Sequence, residues 1–243
     1  MTYQPSNPLP ILYSFRRCPY AMRARLALCY AQQAVELREI VLRAKPAEML
    51  AISPKGTVPV LQLPDGQVIE QSLEVMQWAL QQHDPLDWWP THPDVQADIR
   101  AFIAENDGAF KAALDRYKYP NRYPEQNSGQ SPEQAALLYR SQGEQFLAQL
   151  DARLTQQRYL CADQISLADV AIFPFVRQFA QVDRAWFDQA DYPRVQAWLA
   201  EWLDSRLFAQ VMQKFPVWQS GTLGTVFAAD FGVDCGVDCA FLS

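Results

Sequence analysis

Ile11-Leu12-Tyr13-Ser14-Phe15-Arg16-Arg17-Cys18-Pro19-Tyr20-Ala21-Met22-Arg23-Ala24-Arg25 joins a short apolar run to a helical pattern, with a cysteine at the junction. Ile11 to Phe15 reads as a strand. Pro19 suits the first turn of a helix, where its fixed φ fits and its missing N–H costs no hydrogen bond. The pattern therefore predicts a helix over Pro19 to Ala31 with Cys18 at or near its N-cap. Met22, Leu26 and Cys29 or Tyr30 give that helix an apolar face. A sulfur so placed meets unpaired backbone N–H groups and the positive end of the helix dipole, with Arg16, Arg17 and Arg23 close in sequence. Each of these influences favours thiolate over thiol, and cysteines in such settings fall from about 8.5 to roughly 3.5–7.5. The competing reading is a buried cysteine that only packs, since free cysteine is among the most buried residue types.

The stretch has the outline of a Cys-x-x-Cys redox site, but Ala21 stands at the second position. Cys29, further along the same helix, lies about 16 Å away at 1.5 Å rise per residue and cannot close a disulfide with Cys18. A nucleophilic Cys18 would need its second thiol from solution.

The chain of 243 residues holds one large domain or two modest ones, and either buries a real core. Its net charge of -6 gives no general electrostatic reason to bind nucleic acid or an anionic membrane surface. Five cysteines, an odd count at irregular spacing, argue against a disulfide framework and for a reducing, cytoplasmic setting. Met1 to Pro10 is polar and proline-rich without the charged and apolar regions of a leader, and no run approaches the ~18 apolar residues of a spanning helix. With His83 and His92 the only histidines, no multi-histidine metal site is expected.

Strand and helix signals alternate over residues 1–82. After the first helix, Leu37 to Leu42 reads as a strand, Ala47 to Ala51 as a short helix and Val58 to Leu63 as a β-rich run. Pro64-Asp65-Gly66-Gln67 turns it back into Val68 to Glu70 as a hairpin, and Ser72 starts a helix running to about Gln82, with Leu73, Met76 and Leu80 at helical spacing. This order is thioredoxin-like. Pro59 at a strand start is tolerated only at an edge or irregularity; a cis Val58-Pro59 bond that frees the Val58 backbone for an extended ligand is one explanation.

Residues 83–93, with three prolines, read as a linker, and Trp88 and Trp89 as its pins between domains. Residues 94–215 read as all-helical, with helices at about 94–117, 132–156, 166–180, 193–203 and 205–213 and a long loop from Tyr119 through Gly129. Ser166-Leu167-Ala168-Asp169 has the layout of a capping box, with Asp in place of Glu or Gln, and leads into an all-apolar core helix that Pro174 should kink or end. Residues 216–243 form a tail that reads as packed or unstructured. Its repeated Val-Asp-Cys at 233–235 and 237–239 suggests a metal clip only weakly, two thiols without a histidine being a poor ligand set.

Cys18-Pro19-Tyr20-Ala21, Lys45-Pro46, Ser53-Pro54, Gly56-Thr57-Val58-Pro59-Val60-Leu61, Gln71-Ser72 and Ser166-x-x-Asp169, taken together over residues 9 to 215, resemble the cytosolic glutathione transferases, and among them the cysteine-type, omega-like group. The resemblance implies an α/β thioredoxin-like N-terminal domain followed by an all-α helical domain, and a homodimer. It implies Cys18 as the nucleophile that forms a mixed disulfide with glutathione, and Tyr20 as an aromatic flanking the thiol. Lys45 would meet the glycyl carboxylate, the Val58 backbone beside Pro59 the cysteinyl part, and Gln71 and Ser72 the γ-glutamyl carboxylate. Gln71 departs from the Glu usual in omega-type sequences. Ser166 and Asp169 are structural on this reading. A second substrate would draw on Tyr117, Lys118, Tyr119, Arg122 and Tyr123, which also read as a solvated loop.

The activity so implied is glutathione-dependent thiol transfer or reduction through Cys18, with glutathione as co-substrate, a small electrophile or glutathionylated substrate as partner, and no metal, nucleic acid or membrane. A binding or regulatory protein of the same fold without turnover is the alternative. A docking module would have no use for Cys18, Lys45, Val58-Pro59 and Ser72 together.

Overall fold

The computed structural model describes residues 8–124 and 129–229. In chain order these form β1 (Ile11–Ser14), α1 (Pro19–Tyr30), β2 (Val35–Glu39), α2 (Ala47–Ile52), β3 (Val60–Gln62), β4 (Val68–Ile69) and α3 (Ser72–Gln82). There follow α4 (Pro93–Glu105), a π-helical turn (Asn106–Phe110), α5 (Lys111–Lys118), a 3-10 turn (Pro120–Arg122), α6 (Pro132–Gln156), α7 (Leu167–Ala180), α8 (Arg184–Gln189), α9 (Pro193–Asp204), α10 (Arg206–Val211) and β5 (Thr225–Phe227). They divide into two compact units, one drawn from Met1–Leu86 and Asp204–Ser243, the other from Asp87–Leu203. The first is a thioredoxin-like mixed sheet with helices, the second is all-helical. Among the described residues no helix is long and apolar enough to cross a membrane.

In the first unit the sheet order is β4-β3-β1-β2-β5. β1 pairs parallel with β2, Leu12 beside Leu37, and antiparallel with β3, Leu12 opposite Leu61. A parallel pair needs a crossover, and α1 supplies it. All of α1 but Tyr20 is buried, and it packs against α3 and α10. The hairpin expected at Asp65-Gly66 is present: Gly66 has φ +92, its N–H donates to the Leu63 carbonyl, and the Gln67 N–H donates to the Asp65 carboxylate. The second strand ends earlier than its apolar run suggests. Its pairing with β1 stops at Ser14 and Glu39, where the chain turns toward Cys18, and Val41 and Leu42 are left exposed.

The later chain departs from the expected division at residue 215. From residue 204 to the last described residue, 229, it belongs with the sheet unit, α10 against α1, because Arg25 and Arg16 donate to the Val211 and Met212 carbonyls at the end of α10. Beyond α10, the Trp218 N–H donates to the Glu39 carbonyl and β5 pairs antiparallel with β2, Leu37 opposite Thr225. The Arg38 guanidinium lies 4.4 Å over the Trp218 ring, and Trp218 stands edge-on to Tyr13. At Gly224 a Cβ would sit 2.6 Å from the Leu37 carbonyl oxygen, so only glycine permits this approach. The two Val-Asp-Cys repeats lie outside the described residues.

The core of the helical unit is aromatic. Phe110 packs on Phe146 and Phe179 with ring centroids 4.9 and 5.3 Å apart, and Phe173 stacks on Trp202 at 5.1 Å. Gly143 of α6 lets the Phe179 ring approach to where a Cβ would meet it at 2.4 Å. The helix expected over 94–117 is interrupted by the π-helical turn around Gly108, and α8, capped by Asp183 accepting from the Trp186 N–H, escapes the sequence pattern. α7 continues through Pro174 to Ala180 rather than ending there; nearly all of its residues are buried, and that packing outweighs one lost backbone bond. Trp88 is buried inside this unit, where its carbonyl accepts from the Leu167 N–H that opens α7.

The capping box forms and does more than cap. Asp169, fully buried, accepts from the Ser166 N–H (2.9 Å) and hydroxyl (2.8 Å) on one oxygen. Its other oxygen accepts from the Leu160 N–H (2.9 Å) and the Trp198 indole N–H (3.1 Å). Burial pushes the carboxyl above its usual range against the pull of these donors. Asp169→Ala strands three N–H donors and is expected to cost about 3–5 kcal/mol in a urea melt. Asp169→Asn keeps the oxygen that serves Leu160 and Trp198 and should cost less; equal losses would show that the Ser166 pair carries the site.

Candidate active site

Cys18 occupies the N-cap of α1 with extended backbone (φ −74, ψ 123) and Pro19 in the first helical turn, as the Cys-Pro step dictates. Its N–H donates to the Phe15 carbonyl (3.0 Å), closing the turn through Arg16 and Arg17, and its own carbonyl takes the first helical bond from Met22 (2.8 Å). The half-buried Cys18 thiol donates to the Val58 carbonyl oxygen, 3.8 Å from the sulfur. Val58 is brought there because β3 pairs with β1, Tyr13 opposite Val60, and the Val58-Pro59 bond just ahead of that pairing is cis.

Ser72 is the first residue of α3 and is nearly buried, its hydroxyl oxygen accepting from the Arg23 Nε at 3.0 Å. That leaves the hydroxyl hydrogen to donate elsewhere. Gln71, the N-cap, is exposed and makes no side-chain cap bond. Tyr20 stacks under the Arg23 guanidinium at 5.0 Å, so Tyr20, Arg23 and Ser72 form one contact chain from α1 to α3. Lys45 is exposed and its ammonium lies over the turn at Gly56 (φ +62), 3.3 Å from where a Cβ would be. Gly56 is separated from Val58 by Thr57 alone. The lysine, from the loop before α2, thus lies over the loop after α2 that presents the Val58 backbone.

The arginines are distributed differently from their order in sequence. Arg23 turns to Ser72 and Tyr20, and Arg17 lies over the Phe15 ring at 5.6 Å. The buried cation of the Cys18 turn is Arg25. It donates from Nη2 to the Arg16 carbonyl (2.7 Å), from Nε to the Val211 carbonyl (3.3 Å) and from Nη1 to the Ser14 hydroxyl. Glu39 joins it by accepting from the Arg16 N–H at 2.7 Å. Sequence reasoning misses both, because an Arg-x-Arg step on a helix and a glutamate at a strand end read as solvated. It also misses the bond that the Ser53 hydroxyl donates to the Glu70 carboxylate beside Gln71, with the Glu70 carbonyl accepting from Lys55 at 2.9 Å.

In the helical unit the expected second-substrate residues divide, Lys118, Tyr119 and Arg122 staying together. Tyr117 is taken into the core against Phe179 (5.1 Å), and burial pushes its phenol up. Lys118 and Arg122 both lie over the Tyr119 ring, at 5.1 and 4.0 Å, while Tyr123 lies under Arg116 at 5.3 Å. His83 and His92 are exposed. Among the described residues no group of three or more His, Cys, Asp or Glu side chains is arranged to hold a metal ion.

Burial pushes the thiols of Cys29 and Cys161 up to about 12, and the Cys29 thiol donates to the Gln210 side-chain oxygen at 3.1 Å. At pH 7 such a thiol is ionised on the order of once in 10⁵. Iodoacetamide at pH 7 is therefore expected to label Cys18 and to spare Cys29 and Cys161 until the protein is denatured, as read by peptide mass spectrometry. Labelling of either buried thiol at the rate of Cys18 would contradict this.

Two family models match: "Glutathione S-transferase, N-terminal domain" over residues 12–86 and "Glutathione S-transferase, C-terminal domain" over residues 95–201. A "Probable maleylacetoacetate isomerase" of Caenorhabditis elegans is 26% identical over 196 residues, covering 78% of this chain and 86% of its own. The "Maleylacetoacetate isomerase" of Mus musculus is 27% identical over 192 residues, covering 76% and 84%. A solved glutathione S-transferase of Methylobacillus flagellatus KT with GSH bound superposes with a TM-score of 0.70 at 21% identity, over 84% of this chain and 100% of that one. Two compact units, a mixed sheet and a helical bundle, each matched by its own model over most of its length, identify the chain as a member of the glutathione S-transferase family.

Proposed function

We propose that the protein is a glutathione-dependent thiol transferase in which Cys18 is the reacting sulfur. The observation that carries this reading is a half-buried thiol at the N-cap of α1, with its sulfur 3.8 Å from the Val58 carbonyl and no second cysteine one helical turn on. On this reading glutathione lies along the Val58-Pro59 segment. Its cysteinyl backbone pairs with Val58, its glycyl carboxylate faces Lys45, and its γ-glutamyl carboxylate meets Gln71, the Ser72 hydroxyl and the N–H groups opening α3. Tyr20 flanks the sulfur. GSH is present in the related Methylobacillus structure, which supports the choice of ligand.

The Cys18 thiolate attacks the glutathione sulfur of a mixed disulfide. A Cys18–glutathione S–S bond forms, the substrate S–S bond breaks, and the substrate sulfur leaves with the electron pair and takes a proton from solvent. A second glutathione thiolate then attacks the enzyme disulfide, releasing oxidised glutathione and the Cys18 thiolate. The substrate gains two electrons and two glutathione molecules are joined. A sulfur ionised near neutral pH serves as both nucleophile and leaving group. Dehydroascorbate or a quinone–glutathione adduct would be reduced through the same intermediate.

The names of the worm and mouse relatives favour a second reading, glutathione-dependent isomerisation of a maleylacetoacetate-like substrate, in which glutathione adds and leaves unchanged. Intact mass spectrometry after treatment with oxidised glutathione separates the two. Thiol transfer predicts one glutathione adduct on Cys18, removed by reduced glutathione. It also predicts that Cys18→Ser loses roughly a hundredfold or more of deglutathionylating activity, with only weak conjugation to chlorinated aromatics in the wild type. Full activity in Cys18→Ser, or turnover of maleylacetoacetate that survives this substitution, would replace the first reading with the second.

A further inference from the structure

Building on the reading of Cys18 as the reacting sulfur, we propose that Arg25 is a positioning residue that locks the Arg16–Cys18 turn and holds the sulfur as thiolate. Arg25 is 1% exposed, and its three hydrogen bonds all go to neutral oxygens: the Arg16 carbonyl, the Ser14 hydroxyl and the Val211 carbonyl. Arg16 is thereby fixed at both of its peptide groups. Arg25 takes its carbonyl, and Glu39 takes its N–H. Cys18 lies two residues on, with its own N–H tied to Phe15 inside the same turn. The extended N-cap backbone that aims the sulfur at Val58 is held from beneath by one guanidinium fork.

Among the described residues, Glu39 at the end of β2, Arg16 in the turn and Cys18 at the helix start act electrostatically on this fork. With Arg16 and Arg25 positive and Glu39 negative, these groups carry one excess positive charge while Cys18 is a thiol, and none once it is a thiolate. Burial pushes Arg25 down to about 10, still charged at neutral pH, while Glu39 and Cys18 oppose the fall. Electrostatic coupling is reciprocal, so a thiolate that favours the charged guanidinium is favoured by it equally. A lysine would restore the charge but not the planar fork that reaches three acceptors at once.

The test needs no substrate. The rate of Cys18 alkylation by iodoacetamide is followed by peptide mass spectrometry from pH 4 to 10 in wild type, Arg25→Met and Arg25→Lys. Circular dichroism confirms that each is folded. Arg25→Met is expected to move the midpoint of the profile up by about one unit, which is about a tenfold slower reaction at pH 6, and Arg25→Lys should fall between it and wild type. A folded Arg25→Met whose profile overlays the wild type overturns the assignment. If Arg25→Met does not fold, an Arg25→Lys profile that overlays the wild type does the same. Wild-type Cys18 reacting at pH 6 no faster than N-acetylcysteine would remove the functional reading itself, and this proposal with it. A reactive Cys18 indifferent to residue 25 would remove only the second.

Discussion

Parallel pairing of β1 with β2 is the constraint from which the site follows. A parallel pair cannot be closed by a hairpin, so the chain must cross over the sheet, and the crossover is α1. A helix tied to two adjacent strands at its ends lies against the sheet along its whole length, which is why eleven of its twelve residues are buried. The place where β1 stops and α1 begins is then fixed to within a residue, and Cys18 is in that place. The antiparallel pairing of β3 on the other side of β1 brings Val58 to the same spot. Sulfur and carbonyl meet because both neighbours of β1 are in register with it.

Burying α1 has an electrostatic consequence. Two arginines go under with it, and a buried guanidinium is tolerated only where acceptors surround it. Arg23 finds the Ser72 hydroxyl and the Tyr20 ring, and Arg25 finds the ends of β1 and α10. Each arginine therefore joins α1 to an element distant in sequence. The three described cysteines show the opposite effect of the same burial. Cys29 and Cys161, buried, are driven toward the inert thiol, while Cys18 keeps access to solvent and to a helix start.

Much of this is legible in the amino-acid order, because it depends on local chemistry. Cys18-Pro19 announces a helix start, Asp65-Gly66 a hairpin, and Ser166 with Asp169 a cap. What escapes is decided by partners far along the chain. Arg25 looks like a surface residue until β1, Arg16 and Val211 surround it. Thr225-Val226-Phe227 is too short and too exposed to stand out as a strand before β2 offers it an edge. Leu37 to Leu42 looks like one strand because its apolar run does not record that β1 stops pairing at Ser14. Tyr117 looks like its polar neighbours in sequence, and only the aromatic core of the helical unit removes it from their company.

The fifth strand bears on how the molecule is made. β2 lies at the rim of the sheet until β5 covers it, and β5 is about 190 residues further along the chain. At 5–20 residues per second a ribosome takes roughly ten to forty seconds to cross that interval. During that time the nascent chain offers β2 as an open edge, with Leu37 and its free backbone groups ready to pair with any neighbouring strand. The segment that closes the edge, Trp218 through Phe227, is among the last of the described residues to be synthesised. Protection of this edge therefore arrives late in synthesis.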